Sequence, residues 1–454
     1  MQDLTQGSIH RHLARLTSVI LFGMVFQVLY YLVDLYFVAR VGSVAVAAVS
    51  LAGNLMLLTV ALTQAVSIGT TALVAHAWGR KDYPEARRVF NQAQVLSTAA
   101  GVLFVAAAFL LRGRFASGLA ADAATAEAVR QYLDWFIPAM GVQFLFVAMA
   151  AALRGAGEVK APMMVQVFAV VVNTILAPVL IVGWGTGKPL GVAGAGLATF
   201  IALLASALLL IVWLRKRHDV LHFEPHHWRP DGRLWRRLLG IGLPTGGDFL
   251  LMSVYATLIY GLIRSFGTEA QAGFGVGMRV LQAGFIPALA VAFAVSPLAG
   301  QNFGAGHFPR VRASFHAGLL WVSVMMLAFM ALCHFAPAAL VSPFASDPEV
   351  IAVAAEMLGI LAFNFVAAGV VFVAGGVFQA LGNTLPSLLA SASRIALFAV
   401  PAYVVSRRPG FELKHLWWLS AGSVFLQMLL CLWLLRREME RKAPASAASL
   451  PREP

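Results

Sequence analysis

Twelve stretches of 18 or more mostly apolar residues run through the chain. They lie near 16–39, 44–76, 89–111, 130–153, 161–183 and 192–214, then 238–263, 270–300, 311–341, 350–376, 385–406 and 414–435. A helix of about 20 apolar residues crosses the hydrocarbon layer of a bilayer, so each run is long enough for one membrane span. Only 12% of the 454 residues are charged, where a soluble domain carries about 25%. These features exclude a soluble enzyme and predict an all-α polytopic membrane protein with twelve transmembrane helices. The predicted organisation is an N-lobe at 1–214, a basic cytoplasmic linker at 215–237, a C-lobe at 238–436 and a cytoplasmic tail at 437–454. The first apolar stretch is long enough to span and no small-residue cleavage site follows it, so it reads as a retained helix rather than a signal peptide.

The net charge of +13 could suggest nucleic acid in a soluble protein. Here the bases sit between the apolar runs. An even number of spans puts both termini on one side, and the termini with the loops on that side hold 22 Lys and Arg against 9 on the other. The positive-inside rule then places both termini in the cytoplasm and needs no polyanionic partner. Cys333 and Cys431 both fall inside apolar runs, which leaves neither a disulfide framework nor a cysteine zinc site.

The halves repeat. VGSVAVAAVS at Val41 resembles FGTEAQAGFG at Phe266, and WGRKDYPEARR at Trp78 resembles FGAGHFPRVRA at Phe303. Gly42 and Gly267, Gly79 and Gly304, Gly157 and Gly382, Pro84 and Pro309, and Arg87 and Arg312 all keep one offset of 225 residues. Six crossings return the chain to its starting side, so the second half enters the membrane in the same orientation as the first. Parallel repeats of this kind are a transporter signature: two lobes can rock around a central site and expose it alternately to either side.

Carboxylates inside spans need a reason, since each costs about 2.5–3.5 kcal/mol at the bilayer centre. At about 1.5 Å per residue, Asp34 lies about 27 Å along the first helix from Leu16. Gln27, Tyr30 and Tyr31 precede it by seven, four and three residues, which gathers an amide and two phenols on its helical face. That is the composition of a polar cavity wall, and desolvation there penalises the ionised carboxylate, poising it to exchange a proton. Asp248 follows Pro244 by four residues; a carboxylate beside a broken helical turn suits a cation, and equally a local hydrogen-bonding role. Asn173, Thr199 and Gln282 are uncharged polar residues in spans and candidate cavity groups, though individually such residues also serve as helix-packing contacts. Arg279 and Arg394 read as structural.

The linker holds His218, His222, Glu224, His226 and His227. His222 and His226 have metal-ligand spacing for a helix, but Pro225 and Pro230 break any helix there. The segment reads instead as a basic linker along anionic headgroups, with no metal site. GVAGAG at Gly191 opens a span and follows no strand, so it is no phosphate loop. No paired nucleophile and base lies at membrane depth, so no enzymatic activity and no cofactor are expected.

The first-helix run YYLVDLYFVARVGSVAVAAVS, the segments ALVAHAWGRKDYPEARR and NTILAPVLIVG, the IGLP opening the seventh helix, and PLAGQNFGAGHFPRVR together resemble the MATE (multidrug and toxic compound extrusion) transporters. The resemblance covers approximately residues 10 to 435 and is specific in combination. It implies two pseudosymmetric six-helix lobes in a V around a central cavity, and export of amphipathic, often cationic compounds by antiport against protons or sodium. Asp34 stands where members similar to the bacterial DinF branch carry their coupling carboxylate. Where sodium-binding relatives place an Asp four residues after the fifth-helix Asn, this chain has Ala177 after Asn173, which favours H+ over Na+. Asp248 lies about one turn before the family's usual seventh-helix acid, and the tenth-helix stretch FNFVAAGVVFVAGG has none. The family's first-helix Pro is Val19 here, which leaves a Pro-dependent bend without its residue.

The resulting expectation is a multi-pass, proton-coupled multidrug exporter of a bacterial inner (plasma) membrane. Asp34 couples, while Gln27, Tyr30, Tyr31, Asn173, Thr199, Asp248 and Gln282 line the cavity. Its partners are small amphipathic or cationic substrates and the lipid bilayer, with no nucleic acid, and the chain acts as a monomer. The alternatives are a sodium-coupled exporter and a lipid-linked oligosaccharide flippase of the same superfamily. The flippase needs several cavity bases, and the spans offer only Arg279 and Arg394.

Overall fold

The computed structural model describes residues 3–217 and 220–447, so His218 of the linker lies outside the described residues. Among the described residues there is no strand. The N-terminal half runs α1 (Ile9–Ala39), α2 (Ser43–Gly79), α3 (Tyr83–Leu119), α4 (Ala123–Gly155), α5 (Lys160–Ala177) and α6 (Gly191–Arg217). The C-terminal half runs α7 (Gly232–Ile263), α8 (Thr268–Gly304), α9 (Phe308–Phe335), a single turn α10 (Pro337–Val341), α11 (Pro348–Leu361), α12 (Asn364–Ala380), α13 (Leu385–Ser406) and α14 (Leu413–Ala447). Among the described residues eleven helices are long and apolar enough to cross a membrane. The tenth apolar run is the exception: it is built as α11 and α12, bent by 58° at their junction, and counts as a twelfth span if the pair crosses together.

Local sequence sets the helix ends. The side chain of Asp82 accepts from the Glu85 amide with Pro84 in the first turn of α3, and Asp122 accepts from the Thr125 amide at the start of α4. Each relieves an amide that the first helical turn leaves unpaired. Pro178, with no amide hydrogen, cannot continue the α-helical ladder of α5, and the helix widens into a π turn over Pro178–Val182 before Gly183 ends it in the left-handed region.

The repeat is written into the backbone. Positive φ recurs at equivalent positions: Gly42 (136°) and Gly267 (98°), Gly157 (79°) and Gly382 (71°), Gly185 (77°) and Gly410 (83°). Lys81 (60°) occupies the position whose mate is Gly306 (75°). A lysine thus takes a conformation in which its own Cβ is crowded.

Two compact units divide the chain: Ser18–Leu243 lies in one, and Leu4–Thr17 with Pro244 onward lies in the other. The divisions fall inside α1 and α7 at equivalent points of the repeat. The first turns of α1 therefore belong with the C-terminal half, and those of α7 with the N-terminal half. In the first unit α4 is the most enclosed helix, packed by α2, α3 and α6; in the second α8 has that place, packed by α9, α11 and α12.

Short straps hold the starts of both crossing helices. In the first unit, residues 220–231 lie along the beginning of α3. Arg87 Nε donates to Val220 O (2.9 Å) and Asn91 Nδ2 to His222 O (2.9 Å), while Asn91 Oδ1 accepts from the Glu224 amide (2.9 Å). Gln92 Nε2 donates to Arg229 O (2.7 Å), its oxygen accepts from the Asp231 amide (3.0 Å), and Arg88 pairs with Asp231 (2.5 Å). The linker is thus tied to protein by its backbone. In the second unit, Gln301 Oε1 accepts from the Leu4 amide (3.0 Å), Asn302 Nδ2 donates to Leu4 O (3.1 Å) and Arg310 Nη2 to Gly7 O (3.0 Å). Beyond its strap, α7 meets α2 backbone to backbone. A methyl group at Gly242 would fall 2.9 Å from Ala65 Cα and closer still to its carbonyl, and one at Gly69 would fall 2.9 Å from Leu238 Cα.

Candidate functional site

The first unit assembles a polar cluster from three helices. Because α1 is continuous from Ile9 to Ala39, Tyr30, Tyr31 and Asp34 keep the one-turn spacing that puts them side by side. Asn173 comes from the last turn of α5, and Thr199 from α6, where both are buried. Asn173 Nδ2 donates to Tyr30 Oη (3.4 Å), which leaves the phenolic hydrogen free to meet Thr199 Oγ1 at 2.8 Å. Tyr31 packs edge-on against Tyr30, and its hydroxyl donates to Met56 Sδ of α2 (3.2 Å). Gln27 hydrogen-bonds Tyr31. Both Gln27 and Tyr31 lie on the exposed side of α1.

Asp34 is 7% exposed and Asn173 fully buried. One carboxylate oxygen of Asp34 (Oδ1) and the amide oxygen of Asn173 (Oδ1) have no hydrogen-bond partner among the described residues. Two acceptors without donors at this depth are costly, and a proton or a small cation relieves such a cost. Tyr132 of α4, buried and stacked on Phe136 (4.9 Å), is a further phenol within the electrostatic reach of Asp34. Ala177, one turn after Asn173, is fully buried and belongs to a core cluster that also holds Val38, Tyr132, Phe136, Ile181 and Ala195.

The second unit contains a related cluster. Tyr255 is the repeat mate of Tyr30, and its hydroxyl meets Ser420 of α14 at 2.6 Å, as Tyr30 meets Thr199 of α6. The equivalent of Asn173 is Phe398, whose ring packs edge-on against Tyr255 (5.1 Å). The guanidinium of Arg394 lies over the same phenol (4.4 Å), with Nε buried and unpartnered among the described residues. Asp248 hydrogen-bonds Ser391 of α13 through its side chain and keeps Oδ1 buried without a partner, while Ser391 also accepts from Gln427 (3.3 Å). The acids of the two clusters are not repeat mates: Asp34 corresponds to Ile259 and Asp248 to Gly23.

Of the residues that the sequence nominates, Gln27, Tyr30, Tyr31, Asp34, Asn173 and Thr199 come together in the first unit. Asp248 belongs to the separate cluster of the second unit. Gln282 is exposed on α8 and makes no hydrogen bond within either cluster. Sequence reasoning passed over Tyr255, Ser420, Tyr132 and Met56. The 225-residue offset, applied to Tyr30 itself, would have found Tyr255.

The MatE family model matches residues 20–179 and 244–405, most of the chain and both repeats. A probable multidrug resistance protein of Bacillus subtilis (strain 168), YoeA, is 26% identical over 421 residues, covering 92% of this chain and 91% of its own. The FAD transporter of Shewanella oneidensis is 25% identical over 414 residues, 88% of each chain. A crystal structure of MATE in the bent conformation matches with a TM-score of 0.91 at 21% identity, over 98% of each chain.

Proposed function

The chain belongs to the MatE family, and on that premise we propose that it exports amphipathic, cationic compounds by proton antiport, with Asp34 as the coupling group. The two-unit helical scaffold is that of multidrug MATE-type transporters. One observation carries the finer reading: Asp34 is buried in a span with a carboxylate oxygen that no donor among the described residues reaches, one turn from a phenol held by Thr199 and Asn173. An ionised carboxylate so placed pays for desolvation. A proton relieves that cost, and so does a cationic substrate nearby, so the two compete for one state of Asp34. Competition of this kind is all that antiport requires. One charge moving through about 100 mV supplies about 2.3 kcal/mol, enough for roughly fiftyfold accumulation per proton. The Shewanella FAD transporter has an anionic cargo, so the scaffold alone does not set substrate charge; here the buried carboxylate oxygens of Asp34 and Asp248 favour cations. The protein works as a monomer in a bacterial inner membrane, with both termini on the cytoplasmic side.

Sodium coupling is the second reading, favoured by two buried oxygens of the same cluster, Asp34 Oδ1 and Asn173 Oδ1, that have no donor among the described residues. Against it stands Ala177, whose methyl group supplies no third oxygen to a cation that needs several. Proteoliposomes loaded with an ethidium-like dye decide the matter. A proton gradient imposed without sodium should drive export and a sodium gradient at matched pH should not, and Asp34→Asn should insert and fold yet lose gradient-driven export. Full transport by that variant removes Asp34 from the coupling step.

A further inference from the structure

The strap between the halves carries a group of side chains outside the coupling step proposed above. Glu224 stands at its centre. Its Oε1 accepts from Arg87 Nη1 (2.8 Å) and lies 2.9 Å from His222 Nε2. Its Oε2 faces away from that pair, toward His227 Nε2 (3.3 Å) and His226 Nδ1 (3.6 Å). The three atoms of this second group all lie within 4.8 Å of one another.

We propose that Glu224 Oε2, His226 Nδ1 and His227 Nε2 form a binding site for a divalent transition ion of the Zn2+ class. In a tetrahedral site with bonds of about 2.0–2.1 Å, neighbouring ligand atoms stand about 3.3 Å apart. The two separations from Oε2 are close to that edge, and longer than a direct imidazole–carboxylate hydrogen bond such as His222 makes. Adjacent histidines converge on one oxygen here because the chain turns tightly through Pro225–Trp228, with the His227 amide donating to Glu224 O at 3.0 Å.

The rest of the strap preorganises the ligands. Asn91 holds the Glu224 amide and the indole of Trp228, Gln92 takes the carbonyl of His227 (2.5 Å), and Arg87 orients the carboxylate through the oxygen left out of the site. Ligating carboxylates are commonly fixed by such outer partners. The His226 side chain is 69% exposed, so an ion can enter and water can complete a fourth position. A helical His222–His226 pair, the arrangement that the spacing alone suggests, does not form. The bound ion would brace residues 224–227, in the segment whose anchoring on α3 positions the start of α7.

The test uses the full-length protein, cleaved from its affinity tag and stripped with a chelating resin, then titrated with Co2+ and Zn2+. The expected result is one Co2+ per chain with the intense visible absorption of a four-coordinate ion, displaced by one equivalent of Zn2+. His226→Ala and His227→Ala should each weaken Zn2+ binding at least roughly 30-fold, given that even outer-shell changes cost 10–100-fold; His316→Ala, on α9, should leave it unchanged. His226→Ala removes an exposed ring, and an unchanged melting profile in the absence of metal shows that the variant stays folded, so loss of binding there reports the missing ligand. Absence of stoichiometric Co2+, or equal affinity in the two ligand variants and the native chain, overturns the proposal.

Discussion

Replacing Gly242 with alanine adds one methyl group where the structure has no room for it. The new Cβ would lie 2.9 Å from Ala65 Cα and nearer still to the Ala65 carbonyl. The obstacle is backbone of α2, so no side-chain rotamer can relieve it and the first turns of α7 must move away. Overpacking usually costs about 1–3 kcal/mol, and a clash with rigid backbone belongs at or above the upper end. Gly240 provides the control two residues earlier on the same helix: a methyl there meets nothing within 4 Å. That exchange should be neutral or stabilise by up to about 1 kcal/mol, the intrinsic helical preference for Ala over Gly. The same chemical change thus carries opposite signs at two nearby sites. At roughly 2–4 °C per kcal/mol for a unit of this size, Gly242→Ala should melt at least about 5 °C below Gly240→Ala. Thermal challenge of the detergent-solubilised protein, followed by size-exclusion chromatography, measures the difference. Equal melting would mean that α2 and α7 do not meet backbone to backbone, and would remove the basis for assigning the start of α7 to the N-terminal unit.

Tyr30→Phe keeps the ring and removes the hydroxyl that joins Thr199 and Asn173. Stability should fall by about 0.6–2 kcal/mol and dye affinity should weaken while export still follows the proton gradient; loss of that dependence would put the phenol in the proton path. Asp248→Asn should raise the KM for a monocationic dye roughly tenfold, about 1.4 kcal/mol, with the proton response intact. Equal loss of proton response in the Asp248 and Asp34 variants would reveal two carriers in series.

The spans, the duplication and the polar face of α1 were legible in the sequence because each rests on local regularity. Length and hydropathy mark a span, a constant offset marks a repeat, and 3.6-residue periodicity sets Tyr30, Tyr31 and Asp34 together. What escaped is tertiary. Hydropathy over 350–376 is continuous, so nothing in it announces the 58° bend between α11 and α12. The linker reads as a basic segment because its charges are visible in sequence, whereas the neutral amides that hold it to α3, Asn91 and Gln92, lie about 130 residues earlier. The convergence of His226 and His227 on Glu224 depends on that same anchoring.

Ala177 gives the sharpest test of the ion. Spacing alone suggests that Ala177→Asp restores an acid beside Asn173. The structure adds that Ala177 is fully buried in an apolar core, and that the oxygen one turn away, Asn173 Oδ1, lacks a donor among the described residues. In the absence of sodium the introduced carboxyl should therefore stay protonated, since an ionised one would be stranded without a counter-charge, and its O–H can donate to Asn173 Oδ1 across the i, i+4 spacing. Sodium offers the other solution, in which the ionised carboxylate joins Asn173 Oδ1 and Asp34 Oδ1 as hard oxygen ligands. Ala177→Asp should thus gain thermal stability in NaCl relative to choline chloride, where the native protein does not. Ala177→Asn, equal in size and able to donate the same hydrogen bond, should show no sodium response. Overpacking affects both variants alike, by about 1–3 kcal/mol, so only the difference between them reports the ion. If both respond equally to sodium, the introduced charge is irrelevant and the cation binds elsewhere. If the native protein already exports dye on a sodium gradient and ignores protons, the missing oxygen at Ala177 does not decide the coupling ion, and the ligands must be sought first at Asp248.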